Sequence, residues 1–316
     1  MKFKKVLAIG IDKSQLDESS WAKIRASSSE TMFLKPDDPK VNLELKNTDC
    51  LLVQFNKVDK SIIDQSPNLK YIGALATGVG GIDTKYAASK KIVVTNIPGY
   101  STESVSEFVI AALLENMREI SRAKKESKEG NRSESGFIAS EIKGKNFGVI
   151  GLGRIGKRVA ELAQAFGAEV SYWSRERKKE AEKNGIKYIA LDRILTTSDI
   201  LSINLASNNN TKNFLNEKRV NKIKKGAILI NTAPMELIDI NALEKRLKGS
   251  DFTFIFDHTD IGDVEDSDLK RLQKHNNCIT YPAIGYISSE AKRAKQEIFI
   301  NNIQVFLSGK TNNRVN

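Results

Sequence analysis

Short apolar runs alternate along this chain with longer segments in which apolar residues recur every three or four positions. Runs of four to eight apolar residues are typical of buried β-strands, whereas the wider spacing is typical of amphipathic helices. In the first hundred residues, such runs predict strands at 5–10, 50–55, 70–75 and 92–95. Strands that alternate with helical segments predict a parallel sheet covered by helices.

The pattern changes after Gly99, where one long helix is predicted from about Thr102 to Lys128. Beyond it, apolar runs predict strands near 147–151, 169–173, 200–204, 227–231, 253–257 and 278–281. A last helix, from about Ser288 to Leu307, is followed by Gly309, a residue type that commonly terminates helices. We therefore predict an α/β fold with two Rossmann-like or flavodoxin-like parallel-sheet domains and a ligand-binding cleft between them.

The most informative motif is GLGRIG at 151–156, which lies between a predicted strand and a helical stripe. In that context the first glycine allows a tight turn, the second lets the backbone approach a pyrophosphate, and the third lets helix and strand pack closely. The amino end of the helix adds free N–H groups and a positive dipole end. We predict that a dinucleotide is bound here by Gly151, Gly153, Arg154, Ile155 and Gly156.

Composition restricts the possible ligands. The chain has 316 residues, of which 40% are hydrophobic and 28% charged, as expected for a globular protein of about two domains. Its net charge of +11 raises the possibility of nucleic-acid binding. However, the lysines are spread along the chain, and no basic stripe with interleaved aromatic residues is present. We expect a small anionic ligand and no nucleic acid.

The cysteines and the longest apolar runs point to the compartment. The chain has two cysteines, Cys50 and Cys278, too few for a disulfide framework and without metal-ligand spacing. No apolar run approaches the roughly 18 residues of a membrane span, and the run after Lys5 is too short for a signal peptide. We expect a cytoplasmic protein that binds neither a metal ion nor a membrane.

Five motifs in sequence order resemble those of the D-isomer-specific 2-hydroxyacid dehydrogenase family. Besides the glycine motif, residues 76–83 (ATGVGGID) resemble the family's substrate-carboxylate loop. Residues 96–108 resemble its hinge and long helix, and residues 201–216 and 224–233 resemble its third and fourth signatures. The resemblance covers nearly the whole chain.

This resemblance implies an NAD(P)-dependent oxidoreductase that acts on a small anionic substrate. It implies a discontinuous substrate domain, 1–98 plus 289–316, around a dinucleotide-binding domain at 99–288, and a homodimer formed largely through the latter. Matching the motifs assigns the substrate carboxylate to Gly78, Val79 and Gly80. It assigns further cofactor contacts to Thr232, Ala233 and Asp257.

The end of the second nucleotide-domain strand bears on the choice of cofactor. An acidic residue there binds the ribose hydroxyls of NAD, whereas an arginine accommodates the phosphate of NADP. Here Ser174 stands at the acidic position and Arg175 follows it. Because guanidinium–phosphate hydrogen bonds are strong, we predict that NADP(H) is preferred and NAD(H) remains possible. The alternative is an ordinary basic helix start on the surface.

The family's catalytic arginine, glutamate and histidine are missing at the matching positions. The resemblance places them at Pro234, Gly262 and Ala283, respectively. In the family, the arginine anchors the carboxylate and polarises the carbonyl, and the histidine is the acid that protonates the new alkoxide. The glutamate tunes the pKa of that acid. Proline, glycine and alanine side chains do none of this, so efficient reduction of ordinary 2-keto acids is not expected.

A displaced acid is one way in which the chain could compensate. His258, Asp260 and Tyr281 are the candidates, and each also has a purely structural interpretation. Two hypotheses for the function stay open. The first is an oxidoreductase with non-standard catalytic residues, whose substrate needs less carbonyl polarisation, such as an iminium or an activated alkene. The second is a catalytically silent NADP(H)-binding pseudoenzyme that acts as a sensor or scaffold.

Overall fold

A computed structural model describes residues 1–208, 210–249, 251–258 and 266–316, apart from the side chains of His258 and Asp266. The strands are β1 (Phe3–Ile9), β2 (Ser28–Leu34), β3 (Cys50–Val53), β4 (Tyr71–Ala74), β5 (Val93–Thr95), β6 (Asn146–Ile150), β7 (Glu169–Trp173), β8 (Lys187–Tyr188), β9 (Ile200–Ile203), β10 (Ile228–Asn231), β11 (Thr253–His258) and β12 (Cys278–Pro282). The helices are α1 (Glu18–Ala26), α2 (Val41–Leu45), α3 (Lys60–Asp64), α4 (Thr84–Ser89), α5 (Thr102–Met117), α6 (Ile120–Lys128), α7 (Arg154–Ala165), α8 (Lys179–Lys183), α9 (Leu191–Thr197), α10 (Glu217–Val220), α11 (Ile240–Lys248), α12 (Asp266–Gln273) and α13 (Ser289–Leu307).

These elements form two compact units. The first comprises Met1–Ser101 and Ser288–Asn316, and the second comprises Thr102–Ile287. Each contains one sheet in which the neighbouring strands run parallel. The predicted fold class, α/β with two parallel-sheet domains, is confirmed. No helix within the described ranges is both long enough and apolar enough to cross a membrane.

The first unit has a five-stranded sheet in the order β2-β1-β3-β4-β5. The sequence pattern did not predict β2, because its residues SSETMFL contain an apolar run of only three residues. This strand lies at the edge of the sheet and pairs only with β1, where the buried Lys5 forms an ion pair with Glu30 at 2.8 Å. An edge strand with one solvated side needs fewer apolar residues than a central strand.

The second unit has a seven-stranded sheet in the order β12-β11-β10-β9-β6-β7-β8. The strand order reverses at β6: the next strand in sequence, β7, lies on one side of it, and β9 lies on the other. Ligands of open α/β sheets bind outside the carboxyl ends of the strands at such a reversal. The GLGRIG motif follows β6 directly and begins α7, so it lies at this point.

The predicted helix from Thr102 to Lys128 is two helices, and the prediction of one continuous helix was wrong. The break between α5 and α6 is at Glu119, whose φ of 51° lies in the left-handed region. The Glu119 carboxylate accepts hydrogen bonds from the Ile138 N–H at 2.7 Å and from Arg122 at 2.6 Å. Apolar periodicity does not reveal such a break, because periodicity is a local pattern. The hydrogen bond that Glu119 accepts at the break comes from a residue 19 positions away.

Candidate functional site

The three glycines of the GLGRIG motif are needed for different reasons. Gly151 has a φ of 94°, and a Cβ atom there would lie 2.7 Å from the carbonyl oxygen of Asn204. A Cβ atom on Gly156 would lie 2.0 Å from the carbonyl oxygen of Gly151. A Cβ atom on Gly153 would meet nothing within 4 Å. The fold therefore requires the first and third glycines, whereas the second leaves open space beside the backbone.

The residues around Gly153 in sequence carry hydrogen-bond donors that are not used within the protein. The N–H groups from Leu152 to Gly156 donate to no acceptor in the described ranges, as expected at the start of α7. The exposed Arg154 side chain likewise has no hydrogen bond or ion pair with the described residues. A pyrophosphate fits this arrangement, because it needs close backbone approach, several donors and positive charge.

Two arginines follow β7, and only one of them is already held in an ion pair. Ser174 is buried, and its hydroxyl donates to the carbonyl oxygen of Glu176 at 2.5 Å. Arg177 forms a bidentate pair with Glu182, with hydrogen bonds of 2.8 Å and 2.6 Å. The Glu182 carboxylate raises the pKa of Arg177 above its usual value. Arg175 is exposed and pairs with no group in the described part of the chain. Arg175 is thus the arginine available to an added phosphate.

The segments expected beside the nicotinamide follow β10 and β11. The Asn231 side chain accepts a hydrogen bond from the Ala233 N–H at 3.0 Å and so shapes the turn at Thr232 and Ala233. Asp257 is 1% exposed and accepts hydrogen bonds from the N–H groups of Ile284 at 3.0 Å and Gly285 at 3.1 Å. Asp257 therefore fixes the loop that follows β12.

Two of the three positions to which the resemblance assigns catalytic residues are described, and neither carries a polar side chain. Pro234 is half-buried and precedes a short turn at Met235–Leu237, with a φ of −52° and a ψ of 140°. Ala283 is half-buried and directly precedes Ile284, which is held by Asp257. Gly262, the third position, lies outside the described residues.

Of the candidates for a displaced acid, Tyr281 is the one whose surroundings are described. Its hydroxyl donates to the Glu115 carboxylate of α5, and its ring contacts Phe108 edge-on at 5.3 Å between centroids. Burial and the Glu115 hydrogen bond raise the pKa of Tyr281 well above its usual value. His258 is the last residue of β11, but its side chain is not among the described parts, and Asp260 lies outside the described residues. The contacts of Tyr281 suit packing better than proton transfer.

The first unit contains the predicted carboxylate loop, residues 76–83, whose first six residues, 76–81, follow β4. The N–H groups of these six residues donate to no acceptor in the described ranges. Cβ atoms on Gly78 or Gly80 would meet nothing within 4 Å. Val79 is half-buried, and its carbonyl oxygen accepts the Ile82 N–H at 2.9 Å. A run of free N–H groups in an accessible glycine loop is suited to binding a carboxylate.

Two residues beside this loop were missed by the sequence reasoning. Phe55 was assigned to a strand at 50–55, but β3 ends at Val53 and the Phe55 side chain is 70% exposed. Its neighbour Asn56 lies next to the loop, because the Asn56 carbonyl oxygen would be 3.1 Å from a Cβ atom on Gly81. Asn96 donates from its side chain to the Thr77 carbonyl oxygen at 2.7 Å. The sequence marks neither residue, because Phe55 ends a run that predicts a strand and nothing local distinguishes Asn96.

Comparisons with known proteins agree with this architecture. The family described as D-isomer specific 2-hydroxyacid dehydrogenase, NAD binding domain, matches residues 110–285. A glyoxylate reductase of Thermococcus litoralis is 34% identical over 276 residues, which cover 84% of this chain and 83% of that protein.

Two solved structures are similar over nearly the full length. An acyclic imino acid reductase in complex with NADPH and D-Arg has a TM-score of 0.85 and 28% identity, covering 99% of this chain and 100% of that one. A D-lactate dehydrogenase from Aquifex aeolicus, complexed with NAD and lactic acid, has a TM-score of 0.84 and 28% identity, covering 96% of each chain.

The fold, the glycine motif and these matches define the class of protein: an NAD(P)-dependent oxidoreductase. The chain belongs to the D-isomer specific 2-hydroxyacid dehydrogenase family. The predicted family and enzyme class are thereby confirmed. The two structures with equal identity to this chain hold different cofactors, NADPH and NAD, so the similarity does not decide between them.

Proposed function

We propose that this protein is an NADP(H)-preferring oxidoreductase that reduces a small 2-imino acid rather than a 2-keto acid. The observation that carries the proposal is the loss of polar side chains at Pro234 and Ala283, while the glycine motif and the carboxylate loop are complete. The chain has retained the residues suited to an anion and a dinucleotide, and it lacks the residues that activate a carbonyl.

A carbonyl and an imine place different demands on these two positions. A carbonyl oxygen gains negative charge during reduction, so it needs a cation to polarise it and an acid to protonate it. An imine nitrogen is more basic and binds a proton before reduction, so the substrate carries its own positive charge. A protein cation close to it would disfavour this charged form. Neutral residues at 234 and 283 therefore suit an iminium and do not suit a carbonyl.

The neighbouring sequence offers no close substitute for either lost group. Residues 232–239 contain no lysine, arginine or histidine, and neither do residues 277–289. The carboxylate of the substrate would instead be held by the N–H groups of the loop at 76–81. These backbone donors carry no full positive charge, so recognition of the carboxylate by this loop needs no arginine or lysine.

The residues present fit an NADP(H) cofactor. The open backbone at Gly153 and the free N–H groups up to Gly156 would hold the pyrophosphate, with Arg154 adding positive charge. Arg175 would hold the ribose phosphate, and Thr232, Ala233 and Asp257 would lie beside the nicotinamide. When bound, the cofactor supplies the hydride for the reduction. The chain's own contribution is to bind and orient both ligands.

The solved imino acid reductase supports this choice of substrate class, since it is similar over the whole chain and was crystallised with NADPH and an amino acid. The glyoxylate reductase relative favours a 2-keto acid instead. We prefer an imino acid substrate because positions 234 and 283 hold proline and alanine, whose side chains neither polarise nor protonate a carbonyl. Phe55 is exposed and directly precedes Asn56, whose carbonyl oxygen lies next to Gly81, so it would be an apolar contact for a substrate side chain.

The proposal is tested by following NADPH oxidation with glyoxylate or pyruvate, each with and without a large excess of ammonium or methylamine. The amine forms the imine in solution, and sodium chloride matches the ionic strength of the control. We expect the amine to raise the rate at least about tenfold, because missing residues that act as a unit cost several orders of magnitude in carbonyl reduction. Turnover of the keto acids alone at tens per second, typical of a competent enzyme, would contradict the proposal. NADPH binding without any turnover would favour the silent nucleotide-binding alternative.

The cofactor preference gives a separate prediction. Replacing Arg175 with alanine is expected to weaken NADPH binding by about 10- to 100-fold, because a hydrogen bond to a charged group contributes roughly 1.5–3 kcal/mol. NADH lacks the ribose phosphate, so its affinity should stay within about twofold. Isothermal titration calorimetry at moderate salt gives both dissociation constants.

Arg177→Ala is the matched control for this measurement. Arg177 lies two residues away but is already paired with Glu182, so its loss should change the ratio of NADPH to NADH affinity little. Equal affinity of the unmodified protein for NADPH and NADH would refute the proposed preference. A larger effect from Arg177→Ala than from Arg175→Ala would show that Arg177, and not Arg175, holds the phosphate.

The homodimer and the cytoplasmic location expected from the sequence stay predictions.

A further inference from the structure

Three asparagines of the first unit connect the carboxyl end of the chain with the carboxylate loop at 76–81. They are Asn96 just after β5, Asn302 on α13 and Asn313 in the C-terminal tail, residues 312–316. We propose that this tail, acting through Asn96, is a positioning device that orients the N–H groups of the loop toward a bound carboxylate. The proposal rests on the function proposed above for the loop.

The loop is held through its carbonyl oxygens. The Asn96 side chain donates to the Thr77 carbonyl oxygen at 2.7 Å, and the Ile97 N–H donates to the Ala76 carbonyl oxygen at 3.2 Å. Each carbonyl shares a rigid trans peptide plane with the N–H of the next residue, which points the opposite way. Fixing the Thr77 oxygen therefore fixes the direction of the Gly78 N–H. Fixing the Ala76 oxygen does the same for the Thr77 N–H.

Little else orders this part of the chain. Thr77, Gly78 and Gly80 are exposed, and Cβ atoms at the two glycines would meet nothing within 4 Å. Glycine loses more conformational freedom on ordering than any other residue. The Thr77 hydroxyl adds one further hydrogen bond, to the Ile97 carbonyl oxygen at 3.3 Å. The hydrogen bonds to residues 96 and 97 are thus the main restraint at the start of the loop.

Asn96 is itself held on its other side by the tail and by α13. Its N–H donates to the Asn313 carbonyl oxygen at 3.2 Å, and its carbonyl oxygen accepts from the Asn302 side chain at 2.8 Å. Asn302 is fully buried, and its side-chain oxygen accepts from the Asn313 side chain at 2.9 Å. Asn302 therefore joins the tail to Asn96 from within the core.

The tail is fixed to the sheet by backbone pairing. Arg314 bridges to Thr95 in the antiparallel sense, and the Val315 N–H donates to the Val94 carbonyl oxygen at 2.9 Å. The Asn316 side chain accepts the Val94 N–H at 3.0 Å and donates to the Ile92 carbonyl oxygen at 2.6 Å. The tail thus covers β5, which pairs within the sheet only with β4. This pairing places Asn313 where it contacts both Asn96 and Asn302.

The test uses two variants and one matched control in the full-length protein. Asn96→Ala removes the hydrogen bond to Thr77 at a half-buried position. Asn313→Gly removes the hydrogen bond to Asn302, and glycine readily adopts the φ of 51° found there. The control is Asn68→Ala, which removes a 2.9 Å bond from an exposed asparagine to the Lys46 carbonyl oxygen, away from the loop.

Two readouts are measured. Hydrogen–deuterium exchange of the peptide containing residues 76–81 reports the order of the loop. Calorimetric titration with oxalate, a small unreactive dicarboxylate, in saturating NADPH reports its affinity for an anion. For Asn96→Ala we expect faster exchange in this peptide and oxalate binding weakened roughly three- to tenfold, the effect of about one lost hydrogen bond. Asn313→Gly should show a smaller change of the same kind. Asn68→Ala should change neither, and NADPH affinity should be unaltered in all three.

Gly80→Asp separates failure of this inference from failure of the proposed function. It places a carboxylate in open space on the loop and should abolish oxalate binding if the loop is the carboxylate site. Unchanged oxalate affinity in Asn96→Ala, together with loss in Gly80→Asp, would overturn the positioning role and leave the proposed function standing. Unchanged affinity in Gly80→Asp would show that the loop does not bind the carboxylate, and both proposals would then fail.

Discussion

Replacing Gly153 with valine is expected to abolish NADPH binding while leaving the fold intact. A side chain at 153 points into open space, and the local φ of −79° is ordinary for an L residue. The same side chain would occupy the space through which a pyrophosphate approaches the N–H groups at the start of α7. We expect the dissociation constant for NADPH to rise at least about 100-fold, since several charge-assisted hydrogen bonds are lost together. The unfolding free energy should change by less than about 1 kcal/mol.

Gly156→Ala is the contrasting variant. Its Cβ atom would lie 2.0 Å from the Gly151 carbonyl oxygen, so α7 and the end of β6 must move apart. We expect a loss of roughly 3 kcal/mol in stability, or about 6–12 °C in Tm for a unit of this size. Thermal unfolding without cofactor distinguishes the two variants. An equal loss of Tm in Gly153→Val would show that the second glycine is a structural requirement after all.

The double substitution Pro234→Arg with Ala283→His is expected to reverse the substrate preference. The arginine supplies a cation to polarise a carbonyl, and the histidine supplies an acid to protonate the alkoxide. Both positive charges oppose an iminium. We expect keto acid reduction to rise at least about tenfold and imine reduction to fall by a similar factor, so that the ratio of the two kcat/KM values changes by about 100-fold. The gain stays limited because the family's glutamate, matched by Gly262, is still missing.

A neutral pair of similar size, Pro234→Gln with Ala283→Asn, separates charge from shape. It should lower imine reduction modestly through steric change and leave keto acid reduction at its original level. The kinetic constants of both double variants are measured with glyoxylate in the presence and absence of excess amine. An identical response of the charged and neutral pairs would mean that charge at these positions does not set the preference. No gain in a folded charged variant would mean that the pocket has been remodelled further.

Much of the fold could be predicted from the sequence because it depends on local patterns. Strands such as β3 and β10 are continuous apolar runs, and the GLGRIG motif combines a turn requirement with a packing requirement that neighbouring residues reveal. The features that were missed depend on distant contacts. The edge strand β2 pairs along its length with β1, where Lys5 and Glu30 form an ion pair, and the break at Glu119 is accompanied by a hydrogen bond from Ile138.

The candidate site also contains features that could be predicted from the sequence and features that could not. The sequence predicted the glycine motif, a carboxylate loop and non-polar residues at the matched catalytic positions 234 and 283, because each prediction depends on residue type at a known spacing. It could not separate Arg175 from Arg177, since the difference is the ion pair that Glu182 makes with only one of them. It gave no sign that Asn96 holds the loop, because the partners of Asn96 lie about 20 and more than 200 residues away.

The sequence by itself determined the family and the dinucleotide motif, and it led to the prediction that the usual carbonyl-activating residues are absent, since each depends on the identity and spacing of neighbouring residues. The tertiary structure decided which donors are free to bind a ligand. Whether an N–H group or a guanidinium is available depends on whether an acceptor lies within about 3 Å. Folding alone brings such acceptors close or keeps them away, as it does for Arg175, the start of α7 and the loop at 76–81.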